Sequence, residues 1–526
     1  MLTGPGFPPT HSRANPPQSM KFLKQAPLYP FAFAAYPVLA LLAVNIKQVD
    51  AAVVLRPLAA ALIAAGLIFL GLRWLTKDTA RAALVASLLL LLFFSYGHVY
   101  DFLKLHAAAL ARHRYLGALY LLILLGGLWW MLRRIKTPAA ATGALNLVGA
   151  VLIVLPLLQL GNFAVRTTIE HNTAQAAAAN EQVQLHPGEP TSTLPDVYFI
   201  VLDMHTRADA LKRDFDLDIS PFEDQLRGMG FYVVPCSRPN YTYTEASVGT
   251  ALNMDYLGPI MQNAGISSQD DLWILMQHSE IRKQLEAIGY KTVAFETGFA
   301  WTQLTDADYY LKRSNAGLQL APFESMLFDS TALSAVSDAD TLLIKSQVTH
   351  PFIDHIQREL YVLDELPKVP GLPSPKFVFV HILIPHLPFV FGPDGEILTD
   401  PGYFKAPGDG PVDEAHKYNG YRGQVQFIDS RMLPILKSIL DKSKTPPIIV
   451  MMGDHGIDKR NRTQNLETVY LPNGGESKLY PTLTPVNIFR IIFDNYFGAN
   501  YPLLPDQTFY NGKLSKETFP DCLPPK

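Results

Sequence analysis

Residues 196–203 read Asp-Val-Tyr-Phe-Ile-Val-Leu-Asp, six apolar or aromatic residues in a row between two acids. A strand with no polar face must be buried on both sides, which is the situation of parallel strands sandwiched between helices. Similar short runs follow at Tyr232–Pro235, Thr292–Phe295, Phe377–Ile382 and Ile448–Met452, with an amphipathic helical pattern around Tyr418–Leu440 before the last of them. Strands alternating with helices predict an α/β domain over residues 195–526, its mainly parallel central sheet covered by helices on both faces.

Upstream the pattern is different. Five apolar stretches, Tyr29–Ile46, Leu58–Leu72, Ala83–Tyr96, Leu116–Leu132 and Ala144–Phe163, approach the ~20 residues that cross a bilayer, and none has a central charge. They predict a five-helix transmembrane domain over 29–165, preceded by a cytoplasmic tail over 1–28. Loop residues on one side include Arg13, Lys21, Lys24, Arg73, Lys77, Arg81, Arg133, Arg134 and Lys136; the other side has Lys47, Arg56, Lys104, Arg112 and Arg114. The excess of basic residues marks the cytoplasmic side, so the N-terminus is inside and an odd span count carries everything after Phe163 outside. Residues 166–194, with the run Ala176–Ala179 and the prolines Pro187 and Pro190, read as a polar linker.

Composition narrows the function. The chain has 526 residues, 17% charged and 48% hydrophobic, which excludes a disordered protein and disfavours a wholly soluble one. Residues 1–165 hold 14 Lys and Arg against Asp50, Asp78 and Asp101, leaving 30 bases and 44 acids for the remainder. An acidic C-terminal part with no basic run speaks against nucleic acid as a partner. Two cysteines cannot build a disulfide scaffold or a Cys-rich zinc site.

In open α/β sheets ligands bind beyond the carboxyl ends of the strands. The first run ends in Asp203, another ends in His381 with His386 following, and the last ends in Gly-Asp-His-Gly, which carries Asp454 and His455. Singly, such residues cap helices or fill cores. Together they make an N and O donor set for a divalent metal ion, zinc or manganese ahead of magnesium or calcium.

The motifs Pro-Asp-Val-Tyr-Phe-Ile-Val-Leu-Asp from Pro195, Ser-Arg-Pro-Asn-Tyr-Thr-Tyr-Thr-Glu-Ala-Ser from Ser237, His-Ile-Leu-Ile-Pro-His from His381 and Gly-Asp-His-Gly from Gly453 resemble those of the alkaline phosphatase and sulfatase superfamily. The five-span layout before them resembles the membrane-anchored branch of that superfamily, the lipoteichoic acid synthases and lipid A phosphoethanolamine transferases. The resemblance implies a catalytic nucleophile at the start of a helix. Counting back from Leu252-Asn253-Met254 places it on Thr244, with Thr242, Ser247 and Thr250 as alternatives. It also implies that Asp203, Thr244, Asp454 and His455 ligate a first metal, and that His381 and His386 handle the transferred phosphate or a second metal. Those transferases carry a further histidine downstream of the Asp-His pair, and residues 456–471 contain none.

The resemblance therefore implies a metal-dependent phosphotransferase in a bacterial cytoplasmic membrane, its catalytic domain periplasmic or extracellular. It would act on a membrane phospholipid or glycolipid, with a phosphodiesterase or phosphatase, or an inactive lipid sensor, as alternatives. The string Cys236-Ser-Arg-Pro has the wrong order of Arg and Pro for a sulfatase nucleophile. Cys236 and Cys522 both fall outside the cytoplasm, where a disulfide between them is their simplest fate. Tyr241, Tyr243, Phe299, Trp301, Phe389, Val390 and Phe391 are candidates for an apolar cover over the site, or ordinary core residues.

Overall fold

The computed structural model describes residues 26–46, 49, 51–107, 109–180, 185, 194–266, 272–313, 322–337, 352–404, 412–516 and 522. The chain divides into two compact units, one helical and one α/β. Within the helical unit run α1 (Tyr29–Asn45), α2 (Leu55–Thr76), α3 (Thr79–His106), α4 (His113–Arg133) and the first part of α5 (Thr142–Asn180). Four of these, with their short 3₁₀ lead-ins, are long and apolar enough to cross a membrane; α1, at 17 residues, is shorter. At 1.5 Å per residue α1 spans about 25 Å, somewhat less than the ~30 Å hydrocarbon core. The Asp78 side chain starts α3 by accepting from the backbone N–H groups of Ala80 and Arg81, satisfying two of the donors that a helix start leaves open.

Helix α5 corrects the expected linker. It continues to Asn180 instead of ending near Phe163, because the Ala-rich stretch around Ala176–Ala179 is the strongest helix-forming composition available. The remainder of the expected linker lies largely outside the described residues.

The α/β unit is built on a seven-stranded sheet. Its strands are β1 (Val197–Leu202), β2 (Tyr232–Val233), β3 (Lys291–Phe295), β4 (Tyr309–Leu311), β5 (Lys376–Ile382), β6 (Ile448–Gly453) and β7 (Glu467–Tyr470), in the order β2-β7-β6-β1-β5-β3-β4. The five strands from β6 to β4 are parallel, and β7 runs antiparallel both to β6 and to the edge strand β2. β4 and β7 are not among the apolar runs of the sequence, because β4 has only three residues and β7 begins with Glu467 and Thr468.

β1 lies between β5 and β6, and its six side chains are fully buried. Tyr198, Ile200 and Leu202 join the core on one face, Val197, Phe199 and Val201 the core on the other. At about 1.5–3 kcal/mol per buried large apolar side chain, as an upper bound, this strand alone holds on the order of 10 kcal/mol of burial. That exceeds the ~1–3 kcal/mol cost of an imperfectly paired polar group at its end, so the strand can carry such a group. Four further helices matter to the site or to the helical unit: α6 (Thr244–Asn253), α7 (Pro322–Asp329), α8 (Ile353–Glu365) and α9 (Glu414–Lys442).

The end of the sheet away from the site is pinned by a buried ion pair. Lys376 is fully buried; its Nζ donates to Asp196 Oδ2, and its backbone N–H donates to Asp196 Oδ1 at 3.1 Å. These bonds tie the entry of β5 to that of β1. Lys376→Met leaves the Asp196 carboxylate buried without its cation and is expected to cost about 3–5 kcal/mol. Chemical unfolding followed by aromatic fluorescence checks this, and an unchanged midpoint would mean that apolar packing alone sets the register.

Cys236 and Cys522 are joined by a disulfide. Thiol labelling of unreduced, denatured protein is expected to find no free cysteine, and to find two after reduction.

Candidate active site

The carboxyl ends of β1, β5 and β6 are flush, with Leu202 beside Ile382 on one side and Gly453 on the other. The residues that follow therefore meet at one edge. Asp203 N–H donates to Ile382 O at 2.9 Å, which extends the ladder one residue and fixes the direction of the Asp203 side chain. Among the described residues, Asp203, Asp454 and His455 are the one group of three whose prospective ligand atoms all lie within 4.8 Å of one another. All three are buried.

Thr244 is the first residue of α6, after Tyr243 in an extended conformation. Its Oγ1 donates to Asp454 Oδ2 at 2.7 Å. Two of the three alternative hydroxyls are committed elsewhere. Ser247 Oγ donates to the Asp454 backbone carbonyl at 2.7 Å, and Thr250 Oγ1 donates within its own helix. Thr244 thus brings a hydroxyl and a helix N-terminus to the same carboxylate.

The other Asp454 oxygen, Oδ1, accepts from Met204 N at 2.8 Å and His455 N at 2.9 Å. His455 Nδ1 faces Gly456 O at 3.0 Å, so the proton belongs on Nδ1, and Nε2, 3.3 Å from Asp454 Oδ2, keeps its lone pair for the cluster. A ring held in this tautomer by a carbonyl is the arrangement of a metal-ligating histidine. Burial also holds the His455 imidazole below its ordinary range, which favours the neutral ligand form.

Asp203 offers a second indication. Burial by itself would raise this carboxyl, but the nearby His386, His381 and His455 outweigh it and keep Asp203 ionised, below its ordinary range. Yet Asp203 Oδ1 is buried with no hydrogen-bond partner. His381 Nε2 lies 3.3 Å from Asp203 Oδ2 without hydrogen-bond geometry and is likewise unpartnered, while its Nδ1 meets Thr302 Oγ1 at 3.0 Å. Unpaired ligand atoms in a buried pocket fit a cation, and the oxygen donors of Asp203 and Asp454 with the His455 imidazole suit zinc or manganese. His386 is half-buried; its Nδ1 rests against Leu387 O, and its own carbonyl accepts from Gln424 Nε2 at 2.9 Å. The ring thereby turns Nε2 away from the backbone.

Several residues around the site carry no signal in the sequence. His205, fully buried, places Nε2 2.8 Å from Asp429 Oδ1 on α9 and Nδ1 3.0 Å from Thr206 O. Tyr421, also on α9, donates to Met204 O at 2.7 Å and accepts from Thr206 N at 3.2 Å. These bonds hold Met204 at φ +65, a left-handed conformation costly for a side chain without Gly's freedom. The strap from Asp203 to Thr206 also approaches β6 closely. A Cβ on Gly453 would lie 1.9 Å from His205 O, so only glycine fits before Asp454. From α8, Glu359 Oε2 accepts from Leu383 N at 2.9 Å just beyond β5, and burial pushes its carboxyl up to about 7.

Of the apolar cover candidates, Phe389, Val390 and Phe391 are fully buried in the core and form no rim. Their close packing against α9, where a Cβ on Gly420 would touch the Phe389 ring, is the physical reason. Tyr241 is buried and stacks on Phe509. Phe299 and Trp301 stack on each other, half-buried, in the loop whose Thr302 meets His381.

No protein-family model and no curated protein matches the chain. Solved structures do. The C-terminal periplasmic domain of EcEptC from Escherichia coli, in complex with Zn, is similar at 13% identity, with 61% of this chain and 87% of that chain covered and a TM-score of 0.40. The integral membrane protein lipooligosaccharide phosphoethanolamine transferase A from Neisseria meningitidis is similar at 13% identity over 89% of this chain and 94% of that one, TM-score 0.38. BT1596, a 2-O GAG sulfatase, is similar at 11% identity over 59% and 72%, TM-score 0.37.

Proposed function

We propose that the protein is a membrane-anchored, metal-dependent phosphotransferase that moves a phospho-substituted head group from a lipid donor to an acceptor alcohol through a phospho-threonine intermediate. The observation that supports it most is the Thr244 Oγ1 to Asp454 Oδ2 hydrogen bond, which sets a helix-terminal hydroxyl on a buried cluster of ligand atoms. Asp203, Asp454, His455 and Thr244 would hold a divalent ion, zinc or manganese ahead of magnesium or calcium, whose charge would stabilise the attacking and developing oxyanions.

The remaining steps belong to the chain. Thr244 Oγ bonds to phosphorus while the bond from phosphorus to the donor's alcohol oxygen breaks, and the hydroxyl proton leaves toward Asp454 Oδ2, which already accepts it. The backbone N–H groups at the start of α6 favour the incoming phosphate charge. His386 passes a proton to the leaving alkoxide, and His381 steadies a phosphate oxygen. The acceptor alcohol then reverses the sequence at Thr244. The Phe299–Trp301 stack shields the intermediate from water. Membrane helices on the same chain suit a phospholipid or glycolipid donor, which the bilayer concentrates.

Mass spectrometry of the peptide carrying Thr244, after incubation with membrane phospholipids and each divalent metal in turn, tests this reading. A mass increment on Thr244 names the transferred group; none under any condition would sink the proposal. Detergent-solubilised protein is further expected to pass a labelled head group to an alcohol or glycan faster than to water. Equal release with and without every acceptor would make the enzyme a phosphodiesterase. For the topology, alkaline phosphatase fused after Gly161 is expected to be active and β-galactosidase fused there silent; the opposite pattern would place residues 166–526 in the cytoplasm.

A further inference from the structure

The chain enters the helical unit a second time. Residues 322–337, far along the sequence from the five helices, group with that unit and not with the α/β unit. They comprise α7 and a short turn of helix, Ser334–Ser337. Leu327 packs against a cluster made by Ala34, Ala65, Leu90 and Phe94, residues of α1, α2 and α3. Glu324, buried, forms an ion pair with Arg56 at the start of α2. Ala332 N–H donates to Phe93 O at 2.8 Å, and a Cβ on Gly97 would fall 2.1 Å from Asp329 O.

These contacts set a depth. The apolar stretch of α3, Ala83–Tyr96, is centred between Leu89 and Leu90, so a ~30 Å hydrocarbon core centred there extends about 15 Å, or about ten residues, to near Val99. Gly97 therefore lies roughly 4 Å inside the hydrocarbon. The apolar stretch of α2, Leu58–Leu72, is centred on Ala65, which by the same measure of about ten residues places Arg56 at the boundary. With Glu324 at the boundary, Asp329, five residues on and about 7–8 Å away at helical rise, falls on the hydrocarbon side, as does Gly97.

The hydrogen bonding of the turn is independent support. Every backbone N–H from Ser330 to Ala335 has a partner within the protein: Met326 O, Phe328 O, Phe93 O, Thr331 Oγ1, Thr331 O and Ala332 O in order. The three hydroxyls do the same, Ser330 Oγ donating to Leu327 O, Thr331 Oγ1 to Phe328 O and Ser334 Oγ to Thr331 O. Irregular backbone survives at membrane depth only when its polar groups are satisfied internally. A turn in water has no such requirement.

We infer that residues 322–337 form a re-entrant membrane element, whose partner is the hydrocarbon of the leaflet nearest the His106 end of α3. Leu333, 39% exposed on this turn, is its contact with acyl chains. The inference rests on reading the apolar helices as membrane spans, and the experiment separates the two. Cys236 and Cys522 are bonded to each other and no other cysteine exists, so one introduced cysteine is the only thiol to label. The full chain, reconstituted in phosphatidylcholine–phosphatidylglycerol vesicles, carries a nitroxide at Leu333→Cys, at Leu122→Cys on exposed α4, or at Leu503→Cys in the α/β unit. Power-saturation contrast between oxygen and a nickel chelate is expected to favour oxygen at 333 and 122 and nickel at 503. Nickel-favoured contrast at 333 with oxygen-favoured contrast at 122 would overturn the re-entrant element alone, while nickel at both would overturn the membrane reading.

Discussion

Thr244→Ala is expected to lower head-group transfer by about 10³-fold or more, with the melting temperature nearly unchanged. The substitution removes one hydroxyl whose single hydrogen bond goes to Asp454 Oδ2, and α6 does not depend on it for a side-chain cap. Loss of activity without loss of fold therefore isolates the chemical role. Transfer from a labelled phospholipid measures the rate, and the same variant should carry no adduct in mass spectrometry. A near wild-type rate would move the nucleophile elsewhere, to Thr242 before Ser247, because the Ser247 hydroxyl is spent on the Asp454 carbonyl.

Asp454→Asn is expected to be at least as severe. One carboxylate serves three purposes: it accepts from Thr244, it accepts from Met204 N and His455 N, and it borders the Asp203–His455 pocket. The amide keeps the shape but loses the charge that a cation needs. Activity should fall about 10³-fold or more, and purified variant should retain little of the metal found in the parent protein. Elemental analysis beside the transfer assay checks both; chelation of the parent should reproduce the loss, and re-addition of zinc or manganese should reverse it in the parent only. Full metal content with substantial activity would remove Asp454 from the centre of the mechanism.

The parts of this protein that could be read from its sequence share one property: their signal is local. β1 is an unbroken apolar run because it is buried on both faces, and Asp203, His381, Asp454 and His455 stand out because they end or follow such runs. Placing Thr244 beside Asp454 needed a motif and not a pattern, since a threonine before a helix is most often a cap. The rest is long-range. Asp429 is one acid among several on α9 until the fold sets it against His205, 224 positions away. Glu359 is an ordinary helical residue until Leu383 N–H finds it. The re-entry at residues 322–337 is too short and too polar to look like a membrane segment, because its polar groups are satisfied by bonds the sequence does not display.

The strand order also has a consequence for biosynthesis. β1 emerges first from the ribosome but occupies the middle of the sheet, between β5 and β6, whose residues follow roughly 180 and 250 positions later. Asp203 must therefore wait for nearly the whole chain before Asp454 arrives to close the pocket, and pairings of such long sequence separation form late. A nascent chain stopped before Ile448 would possess Thr244, Asp203 and both strand-end histidines, yet it would lack the carboxylate that joins them. The proposed mechanism needs that carboxylate, so a product truncated before Ile448 is expected to be inert.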